Sequence, residues 1–136
     1  MKGVKTYMGI RENFKRGSIE MLILYLLSQE DMYGYQLAQE INTRSDGQFD
    51  ITEGSMYPTL YRLIEKKAIS DYKKLSGKRR TRVYYHIEEP GVKLLEQLKE
   101  DYHAINAGVE KILSGSGKAA PAAKTSARGR KKKEEK

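Results

Sequence analysis

The chain has no cysteine and no tryptophan among its 136 residues, and only two phenylalanines and three prolines. Without cysteine there is no disulfide, no thiol nucleophile and no cysteine-ligated metal, which fits a reducing compartment. Without tryptophan no ligand can be sandwiched between indoles. Long apolar runs are also missing. The longest, Met21 to Leu27, is seven residues, whereas a membrane-spanning helix needs about 20. The N-terminal stretch "MKGVKTYMGIRENFKR" has neither an apolar core nor a small-residue cleavage site, so it does not read as a secretory signal. The expectation is a soluble cytoplasmic protein with no membrane contact, of a length that suits one domain.

What the chain does have is positive charge, unevenly placed. The net charge is +8. Lys118 to Lys136 carries eight Lys/Arg against two Glu, and Arg62 to Arg82 carries nine against Glu65 and Asp71. The rest of the chain is then mildly acidic. A single cationic segment on an acidic body suggests docking to a polyanion; the competing reading is a solvated basic loop.

Apolar spacing gives three helices in succession. Arg16 to Gln29 places Ile19, Leu22, Ile23, Leu26 and Leu27 on the helical period, with Met21, Leu24 and Tyr25 filling the other sides, so it suits the middle of a small core. "EDMYG" is a stop. Tyr35 to Arg44 is a shorter amphipathic helix with Leu37, Ala38 and Ile41 inward, and "SDGQFD" is a turn. The third helix, in "ITEGSMYPTLYRLIEKKA", has Met56, Leu60, Leu63 and Ile64 as its core stripe. After Ala68 the period changes. "ISDYKKL" and "TRVYYHI" lean towards β-structure, with Val83, Tyr85 and Ile87 alternating, and "SGKRR" between them makes a hairpin with a cationic tip.

Pro90 to Leu113 is the last long helix. Leu95, Leu98, Tyr102, Ile105, Val109 and Ile112 are spaced 3, 4, 3, 4, 3, a narrow seam of nearly three heptads. Homodimerisation through this seam is expected; the alternative is a helix folded back on its own domain. Beyond Ser114 the sequence lacks large apolar residues and is expected to be a disordered basic tail. The organisation is therefore 1–88 as a DNA-binding domain, 89–113 as a dimerisation helix and 114–136 as the tail.

Three helices, a basic two-stranded hairpin and a long helix describe a mainly α, α+β winged helix-turn-helix. The third helix would enter the major groove. Proline is tolerated in a first helical turn, so Pro58 argues for a helix starting near Ser55, with Ser55 as cap and Thr52 as its rival. Tyr57 and Tyr61 would offer hydroxyls to phosphate, with Arg62 and Lys66 along one side. The competing reading makes the tyrosines core edges, more readily for Tyr61 than for Tyr57. On the wing, Lys78, Arg79, Arg80 and Arg82 would neutralise phosphates or reach a minor groove. Phosphate contacts position without choosing sequence, so specificity falls to Ser55, Tyr57, Thr59, Arg62 or groove shape.

The motifs "YGYQLAQEI", "EGSMYPTLYRLIEKKAIS" and "RRTRVYYHIEEPGVKLLEQL" resemble the PadR-like transcriptional regulators from about Ser18 to Leu113. The resemblance implies a dimeric winged-helix repressor on double-stranded DNA with an inverted-repeat operator. Carried over by position, it assigns Tyr35, Gln36, Ser55, Tyr57, Pro58, Tyr61, Arg62 and the wing from Gly77 to Arg82 to DNA. It also implies dimerisation through the C-terminal helix and release by an effector such as a phenolic acid or drug. Here an aromatic effector would have to use Tyr7, Phe14, Tyr25 or Tyr102. Two features depart from the family: Glu88 stands where a Thr or Ser commonly starts the last helix, and the basic tail is not a general family feature.

Catalysis has little support. His86 and His103 lie far apart without metal-spaced partners, and "SGSG" at Ser114 to Gly117 does not join a strand to a helix. No metal, cofactor or enzymatic activity is expected. Two rival functions remain: a non-specific structural nucleic-acid-binding protein driven by the tail, and a winged-helix module for protein contacts.

Overall fold

A computed structural model describes Lys15, residues 17–77 and residues 80–115. The order of elements is α1 (Ile19–Gln29), β1 (Met32–Tyr33), α2 (Gly34–Arg44), α3 (Glu53–Glu65), β2 (Ile69–Ser76), β3 (Arg80–Ile87) and α4 (Glu89–Ser114). The fold is mainly helical α+β with a three-stranded antiparallel sheet in the order β1-β3-β2. Two compact units make up the chain, Met1–Leu98 and Lys99–Lys136.

The core of the first unit is entirely apolar. Ile23, Leu24, Leu26 and Leu27 of α1 meet Leu37, Ala38 and Ile41 of α2, and Met56, Leu60 and Leu63 of α3. The α2 set is the one that helical spacing predicts; in α1 Leu24, expected on another side, is fully buried while Ile19 and Leu22 are only partly buried, and in α3 Ile64 is partly buried. A fully buried aliphatic side chain contributes about 1.5–3 kcal/mol. Met32, Ala68, Ile69, Tyr85 and Leu95 close the core from the sheet and from the start of α4. Leu95 is thus part of its own unit's core, and Leu98 packs against that core partly buried.

The hairpin forms over the expected segments. Ile69 pairs with Ile87 and the register runs to Ser76 opposite Arg80. Gly77 follows with φ +75°, and Lys78 and Arg79 at the tip lie outside the described residues. The sequence pattern does not reveal β1. It pairs Met32 with Tyr85 and Tyr33 with Tyr84, where a stop was expected. A two-residue strand is too short to carry a period; the β3 backbone recruits it.

Helix α3 ends in a left-handed cap. Lys67 takes φ +62°, with Lys67 N–H donating to Ile64 O and Ala68 N–H to Leu63 O, both at 2.9 Å. This is the Schellman arrangement, usually closed by glycine. Pro90 falls in the first turn of α4, as expected. Glu88 offers its carbonyl to Val92 N–H at 3.0 Å, while its carboxylate accepts from Ser70 Oγ at 2.6 Å rather than capping the helix.

In the second unit residues 100–115 are exposed. Tyr102, Ile105, Val109 and Ile112 are 45%, 69%, 45% and 79% exposed, and the Tyr102 ring meets His103 edge-on at 5.2 Å. No helix among the described residues is long and apolar enough to cross a membrane.

Candidate nucleic-acid interface

Helix α3 begins three residues earlier than its proline suggests. Thr52 is the N-cap, and Thr52 Oγ1 accepts from Ser55 N at 3.2 Å. Ser55 Oγ accepts from Thr52 N at 3.3 Å and donates to Thr52 O at 2.9 Å. The expectation of Ser55 as cap is therefore corrected: Ser55 is the third helical residue and answers the cap in a reciprocal box. The two hydrogen bonds of that box outweigh the proline signal. Pro58 consequently lies inside the helix, where its missing N–H leaves the Gly54 carbonyl without its i+4 donor. Both residues are exposed, so water can satisfy that carbonyl.

The two tyrosines of α3 are stacked on each other, ring centroids 6.0 Å apart, but they differ in burial. Tyr57 is half-buried against the core and Tyr61 is 60% exposed. That reverses the sequence expectation, under which Tyr61 was the readier core edge. The Tyr57 hydroxyl donates to Glu53 Oε2 at 2.8 Å. That hydrogen bond, then burial, then the carboxylate's charge raise the Tyr57 pKa above 10. Glu53 itself rests on Gly34 at the start of α2, where an added Cβ would lie 2.8 Å from Oε2.

Tyr35 of α2, 54% exposed, Tyr57 of α3, and Arg80 and Arg82 of β3 line one cleft of about 240 Å³, with Tyr33 and Glu53 beside them. The Arg82 guanidinium lies over the Tyr33 ring at 4.2 Å. Its Nε is buried and has no hydrogen-bond partner among the described residues. A planar cation on a ring face is held in orientation. Further along β2 and β3, Tyr72 stacks on Tyr84 at 5.8 Å, Tyr33 meets Tyr84 edge-on at 5.3 Å, and Lys74 sits over Tyr84 at 5.0 Å. These contacts tie the wing to β1.

The other expected site residues divide between two places. Ser55, Thr59 and Arg62 face a second cleft, on the α1 side of α3, and Arg62 donates to Thr59 Oγ1 at 3.2 Å. Lys66 instead pairs with Glu20 of α1 at 3.2 Å, an exposed ion pair of small energy. Gln36 is half-buried in α2.

A polar tripod fixes the wing root. Asp31, just before β1, accepts from Tyr72 Oη at 2.6 Å and meets His86 Nδ1 at 2.8 Å. Burial raises the Asp31 pKa, but the bonds from Tyr72 and His86 outweigh it and hold the carboxyl below its usual value. The same contact raises His86, and the Tyr72 phenol is pushed up to about 12 by its bond to Asp31. His86 thus has a structural partner. Among the described residues no three His, Asp or Glu side chains gather as a metal site would require.

Tyr35 and Tyr57 of the helix pair and Arg80 and Arg82 of the wing thus share one cleft. The model of the PadR-like transcriptional regulator family matches residues 23–101. The chain belongs to the PadR-like family of transcriptional regulators. This is a family of DNA-binding regulators, not of enzymes. The chain is 36% identical to a PadR-like transcriptional regulator from Bacillus cereus, whose structure superposes with a TM-score of 0.67 over 76% of this chain and 98% of that one. A transcriptional regulator from Clostridium thermocellum is 29% identical, with a TM-score of 0.67 over 73% and 96% of the two chains. Among curated relatives, an uncharacterized protein of Lysinibacillus sphaericus is 29% identical over 106 residues, 78% of this chain and 97% of that protein. Transcriptional regulator YqjI of Escherichia coli is 29% identical over 97 residues, 71% of this chain but 45% of YqjI. The chain therefore spans less than half the length of that regulator.

For a PadR-like chain, two residues of the cleft escaped the sequence reading. Tyr33 sits in the "stop", and Glu53 precedes a helix expected to start near Ser55. The signal for Glu53 was present in its i, i+4 spacing to Tyr57.

Proposed function

We infer that this PadR-like protein is a cytoplasmic repressor that binds an inverted-repeat operator in double-stranded DNA as a homodimer. In this reading α3 enters the major groove and the β2–β3 wing grips the backbone or the adjacent minor groove. The observation that carries it is the single cleft lined jointly by Tyr35, Tyr57, Arg80 and Arg82, which sets a helix N-terminus, the Tyr35 phenol and two guanidinium groups to one side of the domain, with the Tyr57 hydroxyl already given to Glu53. Helix N-termini and arginines both favour phosphate. The dimer reading is supported by the exposed row of Tyr102, Ile105, Val109 and Ile112 at heptad spacing, an apolar stripe that a second copy would cover. An aromatic effector, if one releases the repressor, has an apolar hollow of about 200 Å³ lined by Leu22, Tyr25, Leu26, Ile41 and Phe49. Of the other expected effector contacts, Tyr102 is on the exposed row and not in this hollow, and Tyr7 and Phe14 lie outside the described residues.

The test is the salt dependence of duplex binding by Arg80→Ala. Loss of one phosphate contact reduces the slope of log K against log[salt] by about 0.9 and weakens all sequences alike. An altered sequence preference with an unchanged slope would contradict a backbone role for Arg80. The architectural reading draws on the basic segment Lys118 to Lys136. Deleting residues 115–136 separates the two: a repressor keeps its operator preference, and a non-specific compactor loses most of its binding.

A further inference from the structure

Two clefts beside α3 differ in charge. On the α2 side Glu53 borders a cleft of about 310 Å³ together with Tyr35, Gln39, Asn42 and Thr43, with no cation in its lining. On the α1 side a cleft of about 350 Å³ runs along Thr52, Ser55 and Thr59, with Lys15 and Arg62 as its cations and Phe49 between. The carboxylate on that side is Asp50, which accepts from Asn42 at 3.4 Å. Among the described residues neither Lys15 nor Arg62 has a carboxylate within 4.0 Å.

We propose that this cleft seats a backbone phosphate of the bound duplex, and that Lys15, outside both the helix-turn-helix and the wing, is one of its ligands. The inference rests on the DNA-binding reading above. The groups are already disposed for an oxyanion. Arg62 is held by Thr59, which accepts from it and keeps its own O–H free to donate. The Lys15 ammonium lies over the Phe49 ring at 5.8 Å, which limits its range without neutralising it. Ser55 spends its hydroxyl on the cap, so it shapes the wall rather than binding. Two cations lining one cleft are attracted to a shared phosphate, whereas the cleft that Glu53 borders with Gln39 and Asn42 has no cation to hold one. One stretch of backbone therefore follows the α1 side of α3, in addition to the backbone gripped by Arg80 and Arg82 of the wing.

The experiment uses the full chain and two duplexes: the tightest binder selected from random DNA, and an unrelated sequence of equal length. Lys15→Ala is expected to weaken both by a similar factor, about fivefold, and to reduce the salt slope by about 1. Lys15→Gln, which keeps the stem over Phe49, should do the same with an unchanged Tm. If Lys15→Gln binds like the parent while Lys15→Ala is weakened, the side chain serves packing and the proposal fails. If both variants keep the parent slope while Arg80→Ala lowers it, the cleft is not a phosphate site and the wing reading stands. If neither Lys15→Ala nor Arg80→Ala moves the slope, the DNA-binding reading fails and takes this proposal with it.

Discussion

The Tyr57 hydroxyl donates to Glu53 Oε2 at 2.8 Å across one turn of α3, and the same carboxylate rests on the bare Cα of Gly34. One side chain thus links the starts of the two helices that form the helix-turn-helix. Glu53→Ala should return the Tyr57 pKa towards 10, because the hydrogen bond to Glu53 is the largest cause of its rise. Gly34→Ala should do so in part, since the added methyl displaces the flexible end of Glu53. NMR titration of 13C-labelled tyrosine reads both. An unchanged Tyr57 titration in Glu53→Ala would contradict the link.

The wing root makes stability depend on pH. His86 has a raised pKa in the folded chain, so its contribution is complete below about pH 6.5, the unfolded value, and is lost as pH rises through the folded value. Asp31 has a lowered pKa, so its contribution is present above about 3.9 and fades as pH falls through the folded value. The pair is fully formed between those limits. The parent chain should therefore lose more thermal stability than His86→Gln between pH 5.5 and 8.5. Equal losses would contradict the assignment.

Lys67 holds a left-handed conformation, φ +62°, which costs a non-glycine residue about 1 kcal/mol. Lys67→Gly should raise the stability to urea by about that amount. Gly91→Ala should act in the other direction, by about 1–3 kcal/mol. A Cβ at Gly91 would run into the Ala68 carbonyl and Ile87, and a backbone oxygen cannot step aside as the end of a side chain can.

Pro58 interrupts α3 without contributing to the core. Proline inside a helix costs about 3 kcal/mol, of which its stiffening of the unfolded chain returns about 0.4–1. Pro58→Ala should stabilise the protein by about 2 kcal/mol in urea melts. If it does so and binds DNA as tightly as the parent, Pro58 has no part in the interface.

The interior was legible where burial repeats with a helical period. Ile23, Leu37, Met56, Leu60 and Leu63 are all fully buried, as their spacing implies. The wing was legible because Val83, Tyr85 and Ile87 alternate. What stayed hidden depends on a partner distant in the sequence. Strand β1 forms against Tyr84 and Tyr85, about fifty residues ahead, and Tyr57 shares a cleft with Arg80 and Arg82 of β3. Leu95 satisfies the heptad count but lies in the core of its own unit, because one apolar period serves packing within a chain and between chains equally well. The exposed part of the seam is Tyr102 onward. The candidate residues could be named from the sequence, but their division between a cleft against the wing and one on the α1 side of α3 could not.

The central claim is that α3 and the wing read a symmetric DNA sequence. The most direct test is to select fragments bound by the full chain from random duplex DNA at physiological salt. The account predicts enrichment of an inverted repeat with half-sites about 10 base pairs apart, centre to centre, or a multiple of that. Strong binding with no enriched sequence would contradict it, and would leave the tyrosines of α3 as packing and the charge as the whole of the affinity.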